Sequence, residues 1–283
     1  MGSYHSFNPA GVREKIRNHF VKMRFEEGKD FYLSSIKPAP MNLKIVNLVF
    51  FGLMIVMNYL ANALPLNDKT TGELSAQYPN LFVPAGITFS IWGIIYLLLL
   101  VFVVIQFRQG NREVIEAIGW AFALSSLLNG LWIVAWHYEK LSLSLLIMLG
   151  ILASLVLIGT KIQHLPPGFI KAAFGIYLGW ICIATIANVT AVLVAVNWGG
   201  WSISQQTWTI IMIAAGLLIT AATLVRLNNP FMGLAVIWAF AGIVIRQTGH
   251  HPAIVTAAYL AIGIMAVITL WKFIPQGSES PKG

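Results

Sequence analysis

Long apolar runs separated by short polar turns dominate the chain after residue 43. Eight of them approach the roughly 20 residues that an α-helix needs to cross a bilayer core of ~30 Å. They predict membrane spans at 44–64, 86–107, 114–136, 141–160, 169–197, 208–225, 231–247 and 253–271. Several connections are tight turns, so neighbouring helices are expected to be antiparallel. The predicted fold class is all-α, a polytopic membrane helical bundle.

Residues 1–43 have a different, polar pattern. Within them, Val12, Ile16, Phe20 and Met23 recur at helical spacing among several Arg and Lys residues. This pattern predicts a basic amphipathic helix that lies on an anionic lipid surface. A solvated tail whose charges only enforce topology explains it equally well. No small-residue cleavage site follows, so we expect no cleavable signal peptide.

Composition and charge placement favour an integral membrane protein. Residues are 58% hydrophobic and only 10% charged, which excludes an ordinary soluble domain. The net charge of +8 is unevenly placed: fifteen Lys and Arg fall on the side of the termini and three on the other. This asymmetry is the positive-inside signal. It predicts a multi-pass protein of the bacterial inner membrane, with both termini cytoplasmic and no nucleic-acid partner.

Three spans carry aromatic or amide side chains at intervals of three and four residues, which places each set on one helix face. Tryptophans inside a span are unusual, because this residue favours the membrane interface. Buried Asn is costly in lipid and should face protein, water or a ligand. Packing explains any single stripe, but three stripes in one bundle favour a lined pocket. The stripes are Phe89, Trp92 and Tyr96; Asn129, Trp132 and Trp136; and Tyr177, Trp180, Ala184 and Asn188.

Three stretches carry a family resemblance. They are PAGITFSIWGIIY (84–96), LNGLWIVAW (128–136) and YLGWICIATIAN (177–188). In order and approximate spacing they resemble the signature segments of the translocator protein, or tryptophan-rich sensory protein (TspO), family. The chain departs from the family pattern where Ala85 replaces a second proline and Trp136 replaces a more usual Phe. Residues 189–201 also lack the expected basic-tyrosine sterol motif.

The resemblance implies a five-helix ligand-binding core at 44–199, with residues 200–283 as a three-helix extension. Such a core binds porphyrins, haem or sterol-like molecules, and homodimers are common. Loop 65–85 is either a lid over the pocket or a plain tether. Lys69 and Lys140 could meet ligand propionates or be ordinary surface charges. The matching positions are Trp92, Asn129, Trp132, Trp180, Ala184 and Asn188.

The sequence shows no recognisable catalytic motif: no nucleophile, metal or phosphate motif stands out. No cofactor is expected to be obligatory. The favoured function is therefore a membrane receptor that binds, and transports or senses, a planar hydrophobic ligand such as porphyrin or haem. Two alternatives stay open. In one, all eight helices form a small-molecule transporter that uses Asn residues, Arg246 and Gln247. In the other, the amino-terminal helix recruits a partner and the protein is an adaptor.

Overall fold

The computed structural model describes residues 41–63, 66–108 and 112–274, and its regular elements are all helical. This confirms the predicted all-α bundle for that part of the chain. The amphipathic helix predicted within 1–43 lies outside the described residues, except that residues 41–43 begin the first helix. The α-helices are α1 (Met41–Ala63), α2 (Thr71–Ala76), α3 (Ile91–Ile105), α4 (Arg112–Ile118), α5 (Ala121–His137), α6 (Leu141–Ile162), α7 (Phe169–Ala195), α8 (Gln205–Leu227), α9 (Phe231–Gln247) and α10 (Pro252–Phe273).

Within the described residues, six helices are long and apolar enough to span a membrane: α1, α6, α7, α8, α10 and the helix Gly86–Ile105, which joins a 3₁₀ turn (Gly86–Ser90) to α3. The other two predicted spans contain α5 and α9, apolar helices of 17 residues each. At 1.5 Å per residue such a helix is about 25 Å long, near the lower limit for crossing. Large aliphatic side chains such as Leu97, Leu146 and Val267 point outward. These features indicate an integral membrane protein.

The third predicted span, 114–136, is not one continuous helix, and this prediction is wrong in detail. α4 ends at Ile118, and α5 begins at Ala121. Between them Gly119 has a φ of 56°, a left-handed conformation that ends a helix and that glycine adopts at little cost. The aromatic and amide stripe of this span lies entirely on α5.

The central helix is α7, which packs against α3, α6, α8 and α9. Two of its glycines allow residues at the start of α9 to lie close to α7. A Cβ atom at Gly179 would overlap the carbonyl oxygen of Met232, and one at Gly175 would lie 2.5 Å from Asn229 Oδ1. The Gly175–Gly179 pair therefore serves packing within the chain. The homodimer stays a prediction.

Lys171, near the start of α7, joins three helices. Its side chain is fully buried, and Nζ donates hydrogen bonds to the carbonyl oxygens of Gln163 (2.9 Å) and Asn228 (2.7 Å). These carbonyls lie at the carboxyl ends of α6 and α8. Unpaired carbonyls at a helix end carry partial negative charge, so they are suitable partners for an ammonium group. The contact fixes the end of the bundle away from the aromatic stripes.

Candidate functional site

The aromatic stripes meet at one end of the bundle, around a cavity of about 50 Å³. Its walls come from α3 and the 3₁₀ turn that precedes it, from α5, α7 and α9, and from residues 66–85 of the connection after α1, which we call segment 66–85. Of the predicted site residues, the cavity is lined by Phe89, Trp92, Trp132, Trp136, Trp180, Ala184 and Asn188. Tyr96, Asn129 and Tyr177 do not line it.

Trp92 is the centre of the aromatic cluster. Its ring stacks on Tyr96 at a centroid distance of 5.5 Å and lies 6.2 Å from Trp132. It also meets Tyr177 and Trp180 edge-on, at 6.0 and 6.1 Å. These separations are within the range of favourable aromatic pairs. Since the rings come from α3, α5 and α7, the three stripes face a common interior rather than lipid.

Buried hydrogen-bond donors surround the cavity. Trp132 Nε1, Trp180 Nε1 and Asn188 Nδ2 have no hydrogen-bond partner among the described residues. The carboxamide oxygen of Asn188 accepts a hydrogen bond from Ser144 Oγ at 3.2 Å. A buried donor without a partner costs roughly 1–3 kcal/mol. The residues that carry these three donors line one cavity, so a guest molecule with acceptor atoms can satisfy the donors once it moves the side chains around them.

Asn129 and Tyr177 form a supporting layer behind the rings. Asn129 Nδ2 donates to Tyr177 Oη at 2.9 Å, and Asn129 Oδ1 accepts from Asn58 Nδ2 at 2.8 Å. All three side chains are buried, and they join α5, α7 and α1. This explains the amide that the sequence places in the third span. Asn129 does not line the cavity. It orients Tyr177, whose ring in turn contacts Trp92.

Segment 66–85 covers the cavity. Thr70 and Glu73 form a capping box that starts the short helix α2, and Thr71 and Ser75 of this helix line the cavity. Trp136 Nε1 donates to the Thr71 carbonyl oxygen at 3.4 Å. The segment therefore lies on the site as a lid would, one of the two roles expected for it.

Further polar contacts fasten this cover to the helices. Glu139, in the turn between α5 and α6, accepts from Tyr78 Oη at 2.8 Å and pairs with Lys69 Nζ at 3.3 Å. Gln247, at the end of α9, donates from Nε2 to the Leu81 carbonyl oxygen at 2.8 Å. Of the two lysines considered for ligand propionates, Lys69 is thus engaged by a carboxylate, while Lys140 is exposed at the start of α6.

The contact between Tyr78 and Glu139 changes the acidity of both groups. Partial burial and the hydrogen bond to Glu139 raise the pKa of Tyr78 to about 12. The hydrogen bonds from Tyr78 and Lys69 lower the pKa of Glu139 from its ordinary value. The carboxylate is therefore charged and the phenol neutral over the usual pH range, the states in which the contact forms.

Comparison with known families supports the same core. The family described as TSPO-like protein matches residues 44–271, most of the chain. The chain belongs to the TSPO-like protein family. Comparisons with curated proteins and with solved structures found no match. The family match continues through α8, α9 and α10, beyond the 44–199 stretch on which the sequence resemblance was based. A domain boundary at 199 stays a prediction.

In this TSPO-like chain, α9 belongs to the site, although sequence reasoning did not place it there. Ala239 and Ile243 line the cavity. The Gly242 carbonyl oxygen accepts from the Ala85 backbone at 3.0 Å, and Trp238 Nε1 donates to the Thr88 carbonyl oxygen at 2.8 Å. These bonds attach α9 to the start of the second span. Small and aliphatic residues on a membrane helix look the same whether they face lipid or a cavity, so the sequence held no signal for this role.

Other wall residues were also missed. Each is apolar or has only a small hydroxyl group, and the stripes of aromatic and amide side chains did not include them. Four of them lie in segment 66–85, and the prediction that this segment could be a lid was the only signal for a role. They are Thr71, Ser75, Phe82 and Pro84 from that segment, and Ile183 and Ala187 from α7.

Proposed function

We propose that this TSPO-like protein is a membrane receptor that binds a planar hydrophobic ligand bearing hydrogen-bond acceptors, such as a porphyrin or haem. The observation that carries the proposal is the set of unpartnered donors on Trp132, Trp180 and Asn188 around one aromatic cavity. Indole faces pack on flat π-systems, and indole N–H groups donate to acceptors at the edge of such a ring system. Apolar walls with a few convergent polar groups are typical of small-molecule sites.

The size of the cavity adds a condition to this proposal. A dry protein cavity of about 150 Å³ accommodates benzene, and the cavity here holds about 50 Å³. A tetrapyrrole therefore binds only when part of the wall moves. Segment 66–85 is the part of the wall that is not a membrane helix, and polar contacts at Tyr78 and Leu81 hold it in place. We expect binding to displace side chains of this segment while the helices stay in position.

The experiment is an absorbance titration of the purified full-length protein with protoporphyrin IX in detergent micelles. Trp132→Phe and Trp180→Phe keep an aromatic ring and remove the N–H donor. A hydrogen bond contributes about 0.5–1.5 kcal/mol, so each variant should raise the Kd roughly 2- to 10-fold. Trp271→Phe, in the last turn of α10 and half exposed, is the matched control and should bind like the wild type.

Two results would overturn the proposal. The first is a wild-type titration that does not saturate. The second is a pair of Trp132 and Trp180 variants whose Kd values equal that of the Trp271 control. Monodisperse elution and unchanged helical circular dichroism establish that each variant is folded before its titration is compared.

A further inference from the structure

A second cavity, of about 240 Å³, lies directly beside the first. It is partly open, and it is bounded by the end of α7, the start of α8 and residues 79–82 of segment 66–85. We call it the outer cavity and the first one the inner cavity. Phe82 lines both of them, and its side chain is 1% exposed. Phe82 is thus the residue that the two linings share.

Hydrogen bonds hold the backbone around Phe82, whereas its phenyl side chain makes none. Asn80 Oδ1 accepts from the backbone N–H groups of Phe82 and Val83, each at 3.1 Å. The neighbouring Leu81 carbonyl accepts from Gln247. A phenyl group has no hydrogen bonds to break, so it can change rotamer without disturbing this backbone. Such a rotation would join the inner and outer cavities.

The combined size fits the proposed ligand class better than either space alone. Pockets for small molecules usually hold about 300–1,000 Å³. The inner cavity, at about 50 Å³, contains the donors but little room, and the outer cavity supplies about 240 Å³. Joined, the two approach the lower end of the usual range. The ring system would then extend into the outer cavity while its polar edge reaches Trp180 and Asn188.

The mouth of the outer cavity is rich in tryptophan. Trp198 and Trp208 line it, with ring centroids 5.1 Å apart, and Trp201 contacts both. Trp201 is 76% exposed and has a φ of 50°, a left-handed conformation that costs a non-glycine residue about 1–3 kcal/mol. The turn is fastened by a 2.8 Å hydrogen bond from Trp208 Nε1 to the Gly200 carbonyl oxygen. An exposed aromatic ring beside an open cavity offers a flat ligand its first contact.

We infer that the outer cavity is a second subsite of the ligand site and that Phe82 is the gate between the two subsites. This inference rests on the proposed function, since it assigns the ligand's position and size class. The ligand is a multi-ring planar molecule that occupies both cavities at once. Phe82 controls the rate at which it reaches the inner donors.

Two variants test this with protoporphyrin IX as the probe, one through the Kd and the other through the association rate. Met212 lines the outer cavity, so Met212→Trp should fill it and raise the Kd at least about tenfold. Ile211→Trp puts the same side chain on the exposed face of α8, one residue away, and should leave the Kd unchanged. Phe82→Ala removes the gate and should speed association, measured by stopped-flow absorbance, at least about tenfold.

The outcomes separate this inference from the proposed function. If Trp132→Phe and Trp180→Phe weaken binding but Met212→Trp and Phe82→Ala match the wild type, the inner site stands and the outer subsite is wrong. If Met212→Trp weakens binding and the two inner-cavity variants do not, the proposed site and its subsite both fail. Should Met212→Trp not fold, the association rate of Phe82→Ala decides: faster association supports the gate, and an unchanged rate overturns it.

Discussion

The close approach of α7 to the start of α9 makes Gly179 a sensitive position. A Cβ atom there would overlap the Met232 carbonyl oxygen and lie 3.0 Å from both the Met232 Cα and carbonyl carbon atoms. All of these are backbone atoms, so no flexible side chain can give way. Gly179→Ala must therefore push α9 away from α7 by several tenths of an ångström or more.

The expected loss can be worked out from two opposing effects. Overpacking a tight interface costs typically ~1–3 kcal/mol, and a backbone collision should fall at the upper end. Alanine regains about 0.8–1 kcal/mol of helix propensity over glycine. The net loss should be about 2 kcal/mol, a roughly 30-fold fall in the folded-to-unfolded ratio. Because α9 also carries Ala239 and Ile243 of the inner cavity, porphyrin binding should weaken too.

Reversible unfolding in mixed detergent–SDS micelles, followed by circular dichroism, measures this loss. Gly263→Ala is the matched control. A Cβ atom at Gly263 in α10 meets no other atom within 4 Å, so this variant should be as stable as the wild type or slightly more stable. Equal stability of the Gly179 and Gly263 variants, within about 0.5 kcal/mol, would refute the reasoning about close packing.

Two further predictions concern the polar contacts behind and above the inner cavity. In a double-mutant cycle of Asn129→Leu and Tyr177→Phe, the unfolding free energies should show a coupling of about 0.6–1.7 kcal/mol, as expected for one interhelical hydrogen bond in a membrane. Strictly additive effects of the two substitutions would contradict the hydrogen bond between these side chains. At pH 7, Glu139→Gln should exchange backbone deuterium faster than the wild type in segment 66–85, because the charged acceptor of Tyr78 is weakened. A carboxyl group with a lowered pKa stabilises the folded state above its ordinary pKa of 4.5, and this stabilisation is lost as the pH falls through the lowered value. The difference in exchange rate between the two proteins should therefore vanish well below pH 4.5. A difference that persists there would argue against the contact between Tyr78 and Glu139.

The family and the general architecture could be predicted from local patterns. The length and apolarity of the runs indicated membrane helices, since both are properties of a single segment. The intervals of three and four residues placed Trp92, Trp132 and Trp180 on defined faces of their helices, because 3.6 residues complete a turn wherever the helix lies. Those three rings are indeed brought together around one cavity.

The partners of each face depended on the packing of helices distant in sequence. Asn129 looked like a ligand contact, but it bonds to Asn58 and Tyr177. Its role depends on the rotation of α5 relative to α1 and α7. A residue's own sequence neighbours do not contain that information.

The chain by itself determined the membrane class, the helices and the aromatic faces, because hydrophobic length and helical period are local. Tertiary structure alone decided that α9 forms a wall, that segment 66–85 covers the site and that Phe82 lines two cavities. These features arise where apolar surfaces of different helices meet, and Ala239, Ile243 and Phe82 carry no mark that distinguishes a cavity wall from ordinary packing. Their role follows only from the shape that the assembled helices enclose.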